Sequence, residues 1–112
     1  MEKMNVKPAT GKLGVLCVGL GAVTSTFMTG VLMARKGLAK PVGSMTQYDK
    51  MRVGRGENKK YLHYGEIVPL ANLNDIVFGA WDVYPANAYE SAVNAEVLKE
   101  KDINPVKDEL EK

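Results

Sequence analysis

At 112 residues the chain is long enough for one domain with a hydrophobic core, but short for a complete oxidoreductase. Its 15 basic and 13 acidic residues are spread along the chain and give a net charge of +2, so charge does not indicate nucleic acid or an anionic membrane as a partner. The single cysteine, Cys17, excludes a disulfide within the chain and leaves a metal site without a second thiol. We expect Cys17 to be a small buried core residue.

The first predicted elements are a strand and a helix joined by a glycine turn. Residues 1–12 have little periodic apolar content and are expected to form a leading arm. The run Leu13–Val18 has no polar interruption, which is typical of a strand buried on both faces of a parallel sheet. Gly19–Gly21 ends that run, and a helical pattern follows from Ala22 until Arg35–Gly37. The apolar positions of this predicted helix are Val23, Phe27, Val31 and Leu32.

The same region allows a second interpretation, a membrane span over residues 13–34. No charged residue occurs from Leu13 to Ala34, and the stretch is long enough to cross a bilayer. However, Thr24–Thr26, Thr29 and several glycines dilute its apolar content, and no clear cleavage signal closes a secretory segment. We therefore expect a soluble, cytoplasmic protein, and solubility in aqueous buffer is the observation that separates the two interpretations.

The second half of the chain repeats the order of strand and helix after a polar excursion. Residues 43–60 are polar, locally basic and glycine-containing, and are predicted to be an exposed loop, either simply solvated or in contact with a phosphate or a partner. Residues 75–80 form a second buried-type strand that ends at Trp81–Val83, residues 86–101 are mostly helical, and residues 105–112 begin another charged helical pattern. The apolar stripe of the second helix is Tyr89, Val93, Val97 and Leu98. This order predicts an α/β fold, an open parallel Rossmann-like sheet with crossover helices that is incomplete in this chain.

The glycine turn is the main candidate for a binding site. In dinucleotide-binding folds the first glycine permits the tight turn and the second lets the backbone approach the phosphates, while the helix N-terminus supplies N–H donors. Gly19-Leu20-Gly21 stands between an apolar strand and a helix, as this motif requires. Thr24 replaces the third glycine of the usual pattern. The segment Lys40–Thr46 contains no acidic residue that could hydrogen-bond the ribose hydroxyls of a dinucleotide. The pattern therefore also allows a plain glycine turn.

Other side chains are weaker candidates. Asp82 directly follows the second strand and so lies at the edge where open α/β sheets bind ligands, although an aspartate before Pro85 also suits a turn or a helix cap. His63, the only histidine, has no partner at metal spacing and is interpreted as structural. Met28 and Met33 are expected to pack in the core.

Three segments together resemble the inositol-phosphate synthases, also called myo-inositol-1-phosphate synthases. They are Gly14-Val15 through Gly21, Gly43-Ser44-Met45-Thr46-Gln47, and the most specific one, Asp75-Ile76-Val77-Phe78-Gly79-Ala80-Trp81-Asp82-Val83. The continuation through Tyr84–Glu90 into Ala95–Leu98 is similar to the shorter, prokaryotic branch. The resemblance covers roughly residues 12–100.

The resemblance implies a function that the residues alone do not give. Family members have a Rossmann-like NAD domain interrupted by a second domain that builds the active site and a tetramer interface. They convert glucose 6-phosphate to myo-inositol phosphate by oxidation, aldol cyclisation and re-reduction with recycled NAD, an isomerase reaction of inositol and phospholipid biosynthesis. The implied cofactor-binding residues are Gly19, Leu20, Gly21, Ala22, Val23, Ser44, Gln47 and Asp82.

The resemblance also implies what this chain lacks. The family's catalytic lysines and substrate-phosphate ligands lie in sequence outside it, so no catalytic residue is carried over. We expect residues 13–112 to be a partial NAD-binding domain, truncated before its remaining strands and the catalytic domain, and inactive by itself as a fragment. The alternative is a free-standing module that senses or binds a nucleotide without catalysis.

Overall fold

The computed structural model describes residues 7–112 and divides them into two parts. The sheet–helix part pairs two parallel strands and packs helices against them. The hairpin part, inserted between those strands along the chain, is an antiparallel hairpin flanked by two short helices. The sheet–helix part consists of β1 (Leu13–Val18), α1 (Ala22–Arg35), β4 (Ile76–Trp81), α4 (Ala88–Ala95), α5 (Glu100–Ile103) and α6 (Lys107–Leu110). The hairpin part consists of α2 (Met45–Tyr48), β2 (Lys50–Val53), β3 (Lys60–His63) and α3 (Tyr64–Ile67).

β1 and β4 form a two-stranded parallel sheet in which Leu13 lies opposite Ile76 and Val18 lies opposite Trp81. The predicted strand, glycine turn, helix and second strand are therefore confirmed, as is the α/β class. β1 is not buried on both faces, which corrects the sequence expectation: Leu16 is 72% exposed and Val18 80% exposed. Helices cover only the opposite face, and Cys17 on that face is half-buried rather than fully buried.

The core lies between α1 and the helices that follow β4. Its buried apolar residues are Met28, Leu32, Ala92, Ile103, Val106 and Leu110. The predicted stripe of α1 was wrong at its start, because Val23 is 84% exposed and Phe27 44% exposed. Instead Ser25 and Thr29 are buried, and their hydroxyls donate to the backbone oxygens four residues earlier, Gly21 O and Ser25 O, both at 2.7 Å. Small, internally satisfied side chains let α4 approach α1 closely on this face.

The second predicted helix, over residues 86–101, is divided. α4 ends at Ala95, where Glu96 adopts a left-handed backbone with φ of 55°, and α5 begins only at Glu100. Val93 and Val97 of the predicted stripe are 39% and 58% exposed, and the buried residue of α4 is Ala92. The first turn of α4 has a capping box, because Asn87 and Glu90 exchange side chain-to-backbone hydrogen bonds.

The stretch 43–60, predicted to be a loop, instead contains α2 and most of an antiparallel hairpin. β2 pairs with β3, with Lys50 opposite His63 and Val53 opposite Lys60. Gly54 in the turn has φ of +90°, and a Cβ there would lie 2.6 Å from the backbone oxygen of Asn58. The prediction of exposure is correct for most of this stretch, because every residue from 49 to 60 is exposed, whereas Ser44 and Gln47 are half-buried.

The remaining expectations concern the start of the chain and single residues. Residues 1–6 of the expected leading arm lie outside the described residues, and residues 7–12 form neither helix nor strand. The stretch 13–34, weighed as a membrane span, is divided into β1, the glycine turn and most of α1. Within residues 7–112, no helix is both long and apolar enough to cross a bilayer. Met28 is buried and Met33 packs against the core, as predicted.

Candidate functional site

The glycine turn and Asp82 lie side by side because β1 and β4 are parallel and in register. The carboxyl ends of parallel neighbours meet at one edge of the sheet, where open α/β folds bind ligands. Gly19 N–H donates to Trp81 O at 2.8 Å and so extends the strand ladder by one residue beyond β1. Asp82 is thereby brought beside a turn that lies about sixty residues earlier in the chain.

The two glycines of the turn have different physical reasons to be glycine. Gly19 has φ of +98°, a conformation that side chains with a Cβ rarely adopt. Gly21 is the N-cap of α1 with an ordinary extended φ of −103°. A Cβ built on Gly21 would meet no atom within 4 Å. Packing within the described residues therefore does not require glycine at position 21, and the open space leaves room for a ligand to approach the backbone.

The N-terminus of α1 faces this open space without a competing acceptor of its own. Gly21 provides no side-chain cap, and the first turn, Ala22 to Thr24, contains no acidic residue. The first N–H groups of any α-helix have no acceptor within the helix, and over 14 residues the peptide dipoles add a partial positive charge there. This combination is suited to binding a phosphate.

Asp82 is bound to the turn through its carboxylate. Its Oδ2 accepts the N–H of Leu20 at 2.7 Å, and its Oδ1 accepts the N–H of Tyr84 at 3.3 Å. These hydrogen bonds, the Leu20 one foremost, hold the pKa of Asp82 below its ordinary value despite some opposing desolvation. The two interpretations of Asp82 are therefore combined in one residue, which forms a local turn and also contacts the candidate site.

Ser44 and Gln47 lie in the other part of the molecule. Ser44 is the N-cap of α2, and Gln47 lies within α2 and lines a shallow depression with His63 and Asn72. α2 packs against β3 and α3. The structure therefore brings Gly19, Leu20, Gly21 and Asp82 together, and we call these four residues the glycine corner. Ala22 and Val23 begin the adjacent helix α1. Ser44 and Gln47 lie in the hairpin part.

A groove of about 610 Å³ lies in the sheet–helix part, and Leu20 of the glycine turn is one of its lining residues. Five consecutive residues of β4, from Ile76 to Ala80, line it together with Met28, Leu32 and Leu110. It therefore follows the edge of β4 that faces away from β1, and its walls combine core side chains with the charged residues Lys12, Arg35 and Glu109. We take the glycine corner as the candidate site, because that corner combines an open backbone turn with a helix N-terminus.

Sequence reasoning did not predict the bond between Leu20 and Asp82. The available signal was that Gly19 and Asp82 each follow directly on a strand, but the pairing register that places them together cannot be read from either segment alone. Metal chemistry has no candidate in the described part of the chain, where no three His, Cys, Asp or Glu side chains cluster.

Comparison with known proteins decides the family. The family model described as myo-inositol-1-phosphate synthase, an NAD-binding domain, matches residues 13–112. The chain belongs to the myo-inositol-1-phosphate synthase family. The cofactor of the matched domain is NAD, so this is a family in which a phosphate-binding glycine corner is expected.

Individual synthases agree with this membership. Inositol-3-phosphate synthase 1 of Bacteroides thetaiotaomicron is 60% identical over 110 residues, which cover 97% of this chain and 25% of that protein. Inositol-3-phosphate synthase 1 of rice is 37% identical over 99 residues, 78% of this chain and 19% of its own length. The crystal structure of inositol-3-phosphate synthase from Caenorhabditis elegans superposes with a TM-score of 0.77 at 26% identity, covering 94% of this chain and 23% of that one.

The matched synthases bear on whether the chain is a segment of a synthase or a free-standing nucleotide-binding module. The chain spans about a quarter or less of the length of the relatives it matches. All of them are synthases, and none of these matches supports a free-standing nucleotide-sensing module.

The residues of the corner fit the pyrophosphate of NAD. The fit rests on the open space at Gly21 and on the uncapped first turn of α1. The departure from the usual fingerprint, Thr24 in place of the third glycine, does not block the backbone, because Thr24 is a half-buried residue of α1 itself.

Proposed function

We propose that this chain supplies the NAD-binding corner of an inositol-3-phosphate synthase. The observation that carries the proposal is the open space at Gly21 beside the uncapped first turn of α1. In this proposal the backbone N–H groups of Gly21, Ala22 and Val23 donate to the cofactor's pyrophosphate. Gly19, Leu20 and Asp82 give the turn its shape.

The whole protein is proposed to convert glucose 6-phosphate to myo-inositol phosphate, an isomerase reaction in inositol and phospholipid biosynthesis. Bound NAD would accept a hydride from the sugar and later return it, so that the overall reaction is redox-neutral. The part that this chain's residues play is to bind and orient the cofactor at the sheet edge. We assign no proton transfer and no substrate contact to any of the 112 residues.

The same proposal extends to the extent of the domain, the oligomeric state and the location of the protein. Residues 13–112 would be part of a larger NAD-binding domain, and this fragment alone would not turn over substrate. Ser44 and Gln47 would lie near the cofactor, which rests on the family resemblance. A homo-oligomer, tetrameric in the family, and a cytoplasmic location are proposed on the same ground, and the single cysteine suits a reducing compartment.

The test is a titration of the chain with NAD that follows the fluorescence of Trp81. This residue is the only tryptophan, is 56% exposed and precedes Asp82 directly. We expect saturable quenching by the unsubstituted chain. Gly21→Val should weaken binding at least about tenfold, because its side chain occupies the space required for the phosphates.

Gly30→Val is the matched control. Gly30 lies within α1, and a Cβ there also meets no atom within 4 Å. Valine is no worse than glycine in a helix interior, so this change should leave both the circular dichroism and NAD binding unaltered. The proposal is contradicted if the folded, unsubstituted chain shows no saturable response, or if Gly21→Val binds NAD as tightly as Gly30→Val does.

The proposal that the fragment is inactive has its own measurement. The chain is incubated with glucose 6-phosphate and NAD, and inositol phosphate is assayed. We expect none, and any product above the level of a Gly21→Val chain would contradict the assignment of the catalytic residues to sequence outside residues 1–112.

A further inference from the structure

A side chain, not the strand ladder, holds the second residue of the glycine turn. The ladder supplies the partner of Gly19, whose N–H donates to Trp81 O at 2.8 Å. The next N–H, that of Leu20, donates to Asp82 Oδ2 at 2.7 Å. This length is typical of a hydrogen bond to an ionised carboxylate, which is about twice as strong as one between neutral groups. The N–H groups of Gly19 and Leu20 are thus both hydrogen-bonded to the chain at the carboxyl end of β4, one to Trp81 and the other to Asp82.

Both partners of this bond are themselves fixed. Asp82 accepts the N–H of Tyr84 at 3.3 Å through its other oxygen, an Asx-type turn that orients the carboxylate. The side chain of Leu20 is half-buried and packs against the core cluster. Leu20 is therefore held from two directions, by the core through its side chain and by Asp82 through its N–H.

Charge and hydrogen bonding predict opposite roles for Asp82. A carboxylate next to a phosphate site repels the anion, so by charge alone Asp82 would weaken binding. A turn that contains Gly19 and Gly21 has much conformational freedom to lose, and a side chain that orders it beforehand lowers the cost of binding. The observed bond to Leu20 therefore favours an ordering role over direct contact with phosphate.

We propose that Asp82 is a positioning residue that holds the glycine turn through the Leu20 N–H and so leaves the following N–H groups aligned for a pyrophosphate. The proposal deepens the proposed function and rests on it wherever it concerns NAD. It assigns Asp82 no contact with the reacting atoms.

The test compares Asp82→Asn with Asp82→Ala, with inorganic pyrophosphate and NAD as separate probes. Both variants lose the charge, but only the asparagine oxygen still accepts the Leu20 N–H, so their difference reports the hydrogen bond. We expect Asp82→Ala to bind both probes about tenfold more weakly than Asp82→Asn. Pyrophosphate contains no ribose, so a loss confined to NAD would show that Asp82 contacts the nucleoside directly and would overturn the proposal.

The amide resonance of Leu20 gives a readout in the free chain. In the unsubstituted chain and in Asp82→Asn this proton should lie downfield and exchange slowly with solvent. In Asp82→Ala it should move upfield and exchange faster, while the resonances of the strand residues away from the substitution, Leu13–Cys17 and Ile76–Gly79, stay in place. Asp75→Ala, at the other end of β4, is the control and should leave Leu20 unchanged.

The outcomes separate the two proposals. If the folded, unsubstituted chain binds neither probe, the proposed function fails, and the Leu20 resonance still decides whether Asp82 holds the turn. An unchanged Leu20 amide in Asp82→Ala would overturn the positioning role. If Asp82→Ala fails to fold, Asp82→Asn decides alone, because a Leu20 amide that exchanges freely in that variant would overturn the role.

Discussion

The two parts of the molecule are stabilised differently. All eight buried residues of the described chain belong to the sheet–helix part, and the hairpin part has none. The molecule is correspondingly elongated, with extents of 54 × 28 × 20 Å. The hairpin part is held by its own strand pairing and turns, and a lone two-stranded hairpin is marginally stable in water. The comparison indicates that the candidate site belongs to the part that has a core.

The largest expected effect is on the core. Ile103 is 1% exposed, and Ile103→Ala should lower the free energy of unfolding by about 2–5 kcal/mol because it leaves a cavity. Ile67 in α3 is 39% exposed, and Ile67→Ala is the matched control, with an expected loss under about 1 kcal/mol. Urea unfolding followed by circular dichroism measures both. Equal losses would contradict the division of the molecule into a part with a core and a part without one.

A smaller, local effect is expected in the hairpin. Gly54→Ala places a Cβ 2.6 Å from Asn58 O at a φ of +90°, a strain of roughly 1–3 kcal/mol. Amide exchange across β2 and β3 should accelerate, while β1 and β4 stay protected. Gly43→Ala, where a Cβ meets no atom within 4 Å, should change neither. Loss of protection in β1 would show that the two parts unfold together.

Acid should act mainly on the sheet–helix part. The hydrogen bond from Lys36 Nζ, at 2.7 Å, is the first cause that holds the pKa of Glu109 below its ordinary 4.5, and the Leu20 N–H lowers the pKa of Asp82 below 3.8. A lowered pKa in the folded state adds stability that is complete above the ordinary value and is lost as the pH falls through the folded value. The double variant Asp82→Asn, Glu109→Gln should therefore be less stable than the unsubstituted chain at pH 6, and the difference should shrink towards pH 3. A difference in unfolding free energy that is the same at both pH values would contradict these pKa directions.

The sequence predicted the backbone of the sheet–helix part better than its packing. The apolar run Leu13–Val18 and the block before Asp82 were recognised as strands because each is only about six residues long and is followed by turn residues. The exposed face of β1 was missed because a strand's own sequence does not show whether another element covers each of its faces, and none of the described residues covers the face of Leu16 and Val18. The stripe of α1 was misassigned because Ser25 and Thr29 are polar by type, yet they satisfy their hydroxyls on their own helix.

The hairpin part was the least predictable. β2 is only four residues long, and its alternation Lys50-Met51-Arg52-Val53 is too short and too charged to be recognised as a strand. In the candidate site, Gly19, Gly21 and Asp82 were found from their positions at strand ends. The bond between Leu20 and Asp82 depends on the pairing of segments about sixty residues apart, which no local pattern contains.

The cofactor site is tested most directly by a ¹H–¹⁵N spectrum of the chain recorded during addition of NAD. We expect amide shifts to concentrate at residues 19–24 and 81–84, because the proposed function assigns the cofactor's phosphates to that corner. Shifts concentrated in β2 and β3, or no shifts at saturating NAD, would contradict the assignment of the cofactor site to the glycine corner.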